Sequence, residues 1–250
     1  MDVRETVREL VELDCAHGAA GIADLALRRF AQARRGATRE LRQVTAELGE
    51  VCGWLLFDSE RHREARWVNR AALAIADLPM RWFILSNQAQ ASVHIGLNRE
   101  GLRIADDMLA TDLPHRVAAL FRVRRARALA ALGASGEAER EFARARSAFL
   151  DGVGARDPSW TWWINERELS WHEGMMRAER GRGIEELADS YEAGDSNPRS
   201  RFVYGAHLVE ALARVRSREA ARVAGEVIPF MGVIGSVRAE RALRRSGLWK

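Results

Sequence analysis

Proline is scarce in this chain. Only five occur in 250 residues, at positions 79, 114, 158, 198 and 229. Their wide spacing excludes frequent helix breaks, and the stretches between them are rich in Ala, Leu, Arg and Glu, all strong helix formers. An all-α fold is expected. Cysteine is scarcer still: Cys15 and Cys52 stand outside any C-x-x-C or metal-ligand spacing, which excludes a cysteine-based metal site. Cys52 lies in the apolar stretch EVCGWLLF with no basic cluster beside it, as an inert core thiol would. No apolar run approaches the roughly 20 residues that a membrane span needs; the longest, VIPFMGVIG at 227–235, is far too short. The opening MDVRETVREL is charged from residue 2 and carries no leader pattern, so a reducing cytoplasm is the expected compartment.

Lysine is almost missing too, Lys250 being the only one among 39 basic residues. The formal charge is +4. However, 35 acidic residues interleave with the arginines, as in GEAEREFARARS, the pattern of a solvated helix face with ion pairs three and four apart. A nucleic-acid binder segregates its basic residues, so direct nucleic-acid binding is not expected. Signatures of catalysis are lacking: there is no G-x-S-x-G elbow and no Walker loop, and GRGIEE at 181–186 has neither the third glycine nor a strand before it. No other pair of the six histidines has ligand spacing, and the HE at 172 lacks a second histidine four positions on. No cofactor, metal site or catalytic residue is assigned, and a non-enzymatic role is expected.

What is present is self-similarity. ADLPMRWF at 76–83 returns as TDLPHRVA at 111–118. A tight turn followed by a small residue on the next helix also recurs: SERHREA (59–65), GLNREG (96–101), GASGEA (133–138) and VRSREA (215–220). The last residues of these turns, Ala65, Gly101, Ala138 and Ala220, mark units of about 34–37 residues once a degenerate unit at GRGIEEL (181–187) and an insertion at DGVGARD (151–157) are allowed for. Such a helical hairpin cannot bury its own apolar stripe, so hairpins stack, and small residues let them approach closely. The expected architecture is a helical-hairpin repeat solenoid, a tetratricopeptide-like superhelix of about five repeats plus N-terminal helices. Helices are predicted at 39–57, 61–76, 80–95, 98–110, 115–132, 135–150, 159–180, 183–193, 200–215 and 217–229. Further helices are predicted at 2–15 and 20–35, and a capping helix in SVRAERALRRSG. An N-terminal extension, 1–36, precedes a repeat domain, 37–250.

The succession GWLLFDSERHREARWVNRAALAIAD, LFRVRRARALAALG, DPSWTWWINERELSWHEG and RFVYGAHLVEALARVR resembles the C-terminal tetratricopeptide-like region of actinobacterial Cro/repressor-type (XRE-like) helix-turn-helix transcriptional regulators. In that family a DNA-reading module precedes this region. Residues 16–50 lack the short turn and recognition helix such a module needs, so DNA binding is not carried over. The resemblance implies a sensing or interaction module without its DNA reader.

Candidate binding residues fall in three helices and one segment. The segment is DPSWTWWINERELSWHEG, 157–174, where Asp157 or Ser159 with Pro158 makes a good helix start. Trp160, Trp163 or Ile164, Arg167, Trp171, and Gly174 or Met175 then follow at helical spacing as a core face. Trp162 falls off that stripe and is expected to be exposed or to line a groove. Glu168 and His172 stand four apart: a surface ion pair or, if the scaffold serves an enzyme of a secondary-metabolite pathway, an acid–base pair in a tryptophan-lined pocket. Asn87, Gln90 and His94 form a polar stripe opposite Leu85, Ala89 and Ile95, suited to a peptide backbone or a small polar ligand, or simply to solvent. Tyr204 and His207 make a polar-aromatic pair, and Arg122, Arg124, Arg125 and Arg127 stud FRVRRARAL. First helices of tetratricopeptide-like units line the concave side, where Gln90, Arg124, Trp171 and Tyr204 are expected to converge. The expected partner is a peptide, protein or small-molecule ligand in that groove, with no membrane role, and two chains are expected to pair as a homodimer.

Overall fold

The computed structural model describes residues 2–36, 38–178, 180–193 and 197–249. Ala37, at the expected start of the repeat domain, Glu179, in the helix expected at 159–180, and Lys250 lie outside the described residues. Among the described residues there are thirteen α-helices, two 3₁₀ turns and no strand. The helices are α1 (Val3–His17), α2 (Ala23–Arg35), α3 (Arg42–Asp58), α4 (His62–Leu73), α5 (Leu78–His94), α6 (Asn98–Leu109) and α7 (His115–Ala131). They continue as α8 (Ser135–Leu150), α9 (Glu166–Ala178), α10 (Ile184–Glu192), α11 (Pro198–Arg214), α12 (Glu219–Val227) and α13 (Val237–Arg245). No helix among the described residues is long and apolar enough to cross a membrane.

One expected helix is broken. The span 159–180 opens as a 3₁₀ turn at Ser159–Trp163, Ile164 is extended, and the α-helix begins only at Glu166. Two contacts account for the break. Arg116 of α7 donates from Nη1 to the Ile164 carbonyl at 2.5 Å, so that carbonyl is held by a side chain. Asn165 Oδ1 then accepts from the Glu168 N–H at 3.0 Å, the bond of an N-cap that starts a new helix. The tryptophan stripe is therefore not the face of a single helix.

The contacts divide the chain into two compact units, one of Met1–Ile84 with Gly194–Lys250 and one of Leu85–Ala193. In the first, α3 is the central element and packs against α1, α2 and α4. Its glycines permit this. A Cβ on Gly53 would stand 2.0 Å from Asn69 Oδ1 of α4, and one on Gly49 would stand 2.7 Å from the Ala72 Cβ. The two ends of the chain meet inside this unit, where the Gly235 N–H donates to the His17 carbonyl and the Ala20 N–H to the Gly235 carbonyl, each at 2.7 Å.

A buried ionic cluster in the same unit fastens α1, α3, α11 and α13. Asp58, at the end of α3 and fully buried, accepts from Arg238 Nε of α13 at 3.0 Å and lies 3.4 Å from Arg199 Nη2 of α11. Arg199 Nε is 3.2 Å from Asp14 Oδ1 of α1. Both guanidiniums lie over Trp54, at 5.3 and 5.7 Å from the ring centroid, where its π face attracts them. Burial works to raise the pKa of Asp58, but Arg199 and Arg238 outweigh it and hold the carboxyl below its usual range. Asp14 has weaker support, and burial pushes it up to about 6.

In the second unit α7 packs against α6, α8 and α9, and α9 against α10. Leu120 and Val123 of α7, Phe142 of α8, and Leu169 and Met176 of α9 share its core. The small residues that mark the repeats, Ala65, Gly101, Ala138 and Ala220, are all buried, as close helix approach requires.

Candidate functional site

Four arginines within six positions on α7 have two different fates, and the helix period decides which. Residues 122 and 125 lie three apart on one face; residues 124 and 127 lie three apart on a face about 200° round. The first pair meets carboxylates. Arg122 Nη1 and Arg125 Nη1 donate to the two oxygens of the buried Glu141 on α8, at 2.7 and 3.1 Å, and Arg125 Nε donates to Asp106 of α6 at 2.6 Å.

The second pair meets a histidine. Arg124 Nη1 lies 2.8 Å from His172 Nε2, and Arg127 Nη1 lies 3.2 Å from His172 Nδ1, both across the α7–α9 contact. Trp171 closes the group: its ring centroid is 4.7 Å from that of His172, and the Arg127 guanidinium carbon is 5.6 Å from it. Leu169 and Trp171 are buried beside them.

The electrostatics are unusual. Arg124 keeps only 2% of its surface exposed, and no carboxylate among the described residues hydrogen-bonds it. Its Nε is shut from solvent without a hydrogen-bond partner. Burial, with Arg127 adding to it and Glu168 opposing, pushes Arg124 down to about 9. Guanidinium groups only donate, and a neutral imidazole offers one accepting nitrogen. The guanidinium of Arg124 is thus held inside the protein with its Nε–H unmet and with Glu168 acting on it only through space, and a hydrogen-bonded anionic acceptor is the chemistry such a group takes.

Of the residues singled out from sequence, Arg124, Glu168, Trp171 and His172 come together here. Trp162 stands apart, 82% exposed on the 3₁₀ turn. Asn87 and Gln90 are half-buried on α5 and His94 is exposed. Tyr204 and His207 are buried on α11, in the other unit, and His207 Nδ1 lies 3.9 Å from Glu210. Arg127 was not separable from its neighbours by sequence, since only the identity of the facing helix distinguishes it from Arg125. Cys52 is fully buried, and burial pushes its thiol up to about 12.

Two cavities open elsewhere in this unit. One of about 550 Å³ lies at the start of α10 and one of about 230 Å³ at the start of α8. Comparison of the chain with known protein families, curated proteins and solved structures found no match.

Proposed function

We propose that the chain is a ligand-binding, non-enzymatic helical-repeat module of tetratricopeptide type, related to the sensor region of Cro/repressor-type transcriptional regulators. It holds the anionic group of a peptide or small molecule at Arg124, Arg127 and His172, with Trp171 against the ligand's apolar part. One observation carries this reading: a guanidinium fully inside the protein to which no carboxylate among the described residues is hydrogen-bonded, when two arginines of the same helix each have one. A protein that needed Arg124 only for packing would do as well with an apolar residue.

The repeat architecture draws support from the buried small residues Ala65, Gly101 and Ala138, spaced 36 and 37 residues apart, and from the pairs α3–α4, α7–α8, α9–α10 and α11–α12, whose helices pack against each other. The alternative, acid–base catalysis by Glu168 and His172, has less behind it. Both ring nitrogens of His172 face arginine donors, which leaves neither for a substrate proton.

A thermal-shift screen of the intact chain against short peptides with free C-termini and small carboxylic acids tests the reading. Expected is at least one ligand that stabilises the wild type and has no effect on Arg124→Met. A screen without a stabilising compound, or one whose compounds stabilise both proteins equally, refutes it.

A further inference from the structure

The smaller cavity lies beyond the cluster of arginines on α7, at the first turn of α8. Ser135 and Gly136 form one side, Arg177, Arg180 and Arg182 another, and Met176 contributes an apolar wall. Glu139 is its one acidic residue among the described residues, and Arg177 already holds that carboxylate, with Nε at 2.9 Å and Nη2 at 2.6 Å. Arg180 and Arg182 act on the same carboxylate through space, without a hydrogen bond to it. Among the described residues Arg180 makes one side-chain hydrogen bond, from Nη2 to the Gly133 carbonyl at 3.3 Å. Arg182 has no side-chain hydrogen bond or ion pair among the described residues.

Two further features are independent of that charge. The Ser135 hydroxyl oxygen is closed off from solvent and has no hydrogen-bond partner. The sixteen-residue α8 begins without a side-chain cap, so the first-turn N–H of Gly136, which lines the cavity, carries the positive end of the helix dipole to its wall. Arginine forks, a hydroxyl and a free backbone N–H around one space together suit a compact oxyanion bearing more than one charge.

We propose that this cavity binds the phosphate group of a small phosphorylated ligand, through Arg180, Arg182, the Ser135 hydroxyl and the Gly136 N–H. Its volume of about 230 Å³ is below the ~300 Å³ at which pockets for whole ligands begin. The rest of the ligand extends into the adjoining cavity of about 550 Å³, which shares Glu139, Arg177 and Arg182 with the first. There Glu185 and Glu186 face it, so that part carries hydrogen-bond donors such as hydroxyl or amine groups. This site is separate from the one at Arg124 and does not depend on what that one binds.

Titration calorimetry of the intact chain with inorganic phosphate, at ionic strength held constant with sodium chloride, tests the proposal. Expected is saturable binding that acetate does not reproduce. Arg180→Gln/Arg182→Gln, a change at two exposed positions, weakens it at least tenfold. Ser135→Ala weakens it severalfold, as loss of one hydrogen bond does, and Arg124→Met leaves it unchanged. No saturable heat up to about 10 mM, tenfold weaker than a millimolar site, equal binding of acetate, or undiminished binding by the double variant overturns it.

Discussion

Replacing Arg124 with methionine should make the protein more stable. Burial and the neighbouring Arg127 bring the Arg124 pKa far below its usual value, down to about 9. At ~1.4 kcal/mol per unit, that gap corresponds to roughly 5 kcal/mol of cost in keeping the charge inside at neutral pH. Methionine follows the same path into the core and removes the charge. It forfeits the contact with His172, worth about 1 kcal/mol, and leaves a small space where the guanidinium was. Buried ions replaced by apolar residues of similar size give changes from neutral to about 4 kcal/mol stabilising. A gain of about 1–3 kcal/mol is expected, a rise in melting temperature of roughly 2–4 °C per kcal/mol for a chain of this size. Urea unfolding followed by tryptophan fluorescence measures it. The sign with pH is fixed as well. The folded pKa lies below the unfolded one, so the unfolded state binds more protons above about pH 9, and the wild type recovers stability as pH rises past that point while the variant does not. Arg238→Met is the contrasting control: it removes the guanidinium hydrogen-bonded to the fully buried Asp58 and leaves only Arg199 beside it, and should cost about 3–5 kcal/mol. If Arg124→Met instead lost 2 kcal/mol or more, Arg124 would be a structural residue and the argument for a ligand would fail.

Other outcomes follow from the same geometry. Gly53→Ala places a methyl 2.0 Å from Asn69 Oδ1 and should destabilise by about 1–3 kcal/mol in urea; a cost within experimental error would mean that α3 and α4 are less tightly apposed than described. Cys52, with its thiol pushed up to about 12 by burial, should react with an aromatic disulfide reagent only after unfolding, and rapid native labelling at that position would show an open core. Asp14 is raised from 3.8 to about 6 by burial, so the folded state holds its proton more tightly. The stability it contributes is complete below about pH 4 and lost as pH rises through about 6, and Asp14→Asn should remove that fall in a pH series of melting temperatures. Asp58, held below its usual range, acts with the opposite sign and adds to the loss of stability on acidification.

Local signals made most helices legible. Proline, glycine and the recurring turns mark ends that the structure places within a few residues, because those features act on neighbouring backbone alone. The break at Ile164 was not legible, since it depends on Arg116 reaching the Ile164 carbonyl from 48 positions away. The aromatic spacing of 160–175 reads as one helical face, and nothing in that segment announces the competing donor. The candidate site was half visible. Glu168, Trp171 and His172 share one helix, and Arg124 was an arginine among four; which pair on α7 would find carboxylates was decided by Glu141 and Asp106 on other helices. The cluster around Asp58 was invisible for the same reason, since it joins residues from both ends of the chain, and each looks like an ordinary surface charge in its own helix.

The Arg124 Nε–H reports most directly on whether the buried arginine serves a ligand. With ¹⁵N-labelled protein, its resonance can be followed while the strongest compound from the carboxylate screen is added. Occupancy of the site should move that resonance along a saturable curve matching the binding isotherm, with the signals of Arg199 and Arg238 unchanged. A compound that binds while the Arg124 signal stays in place would show that the site lies elsewhere and that this guanidinium has no ligand to hold.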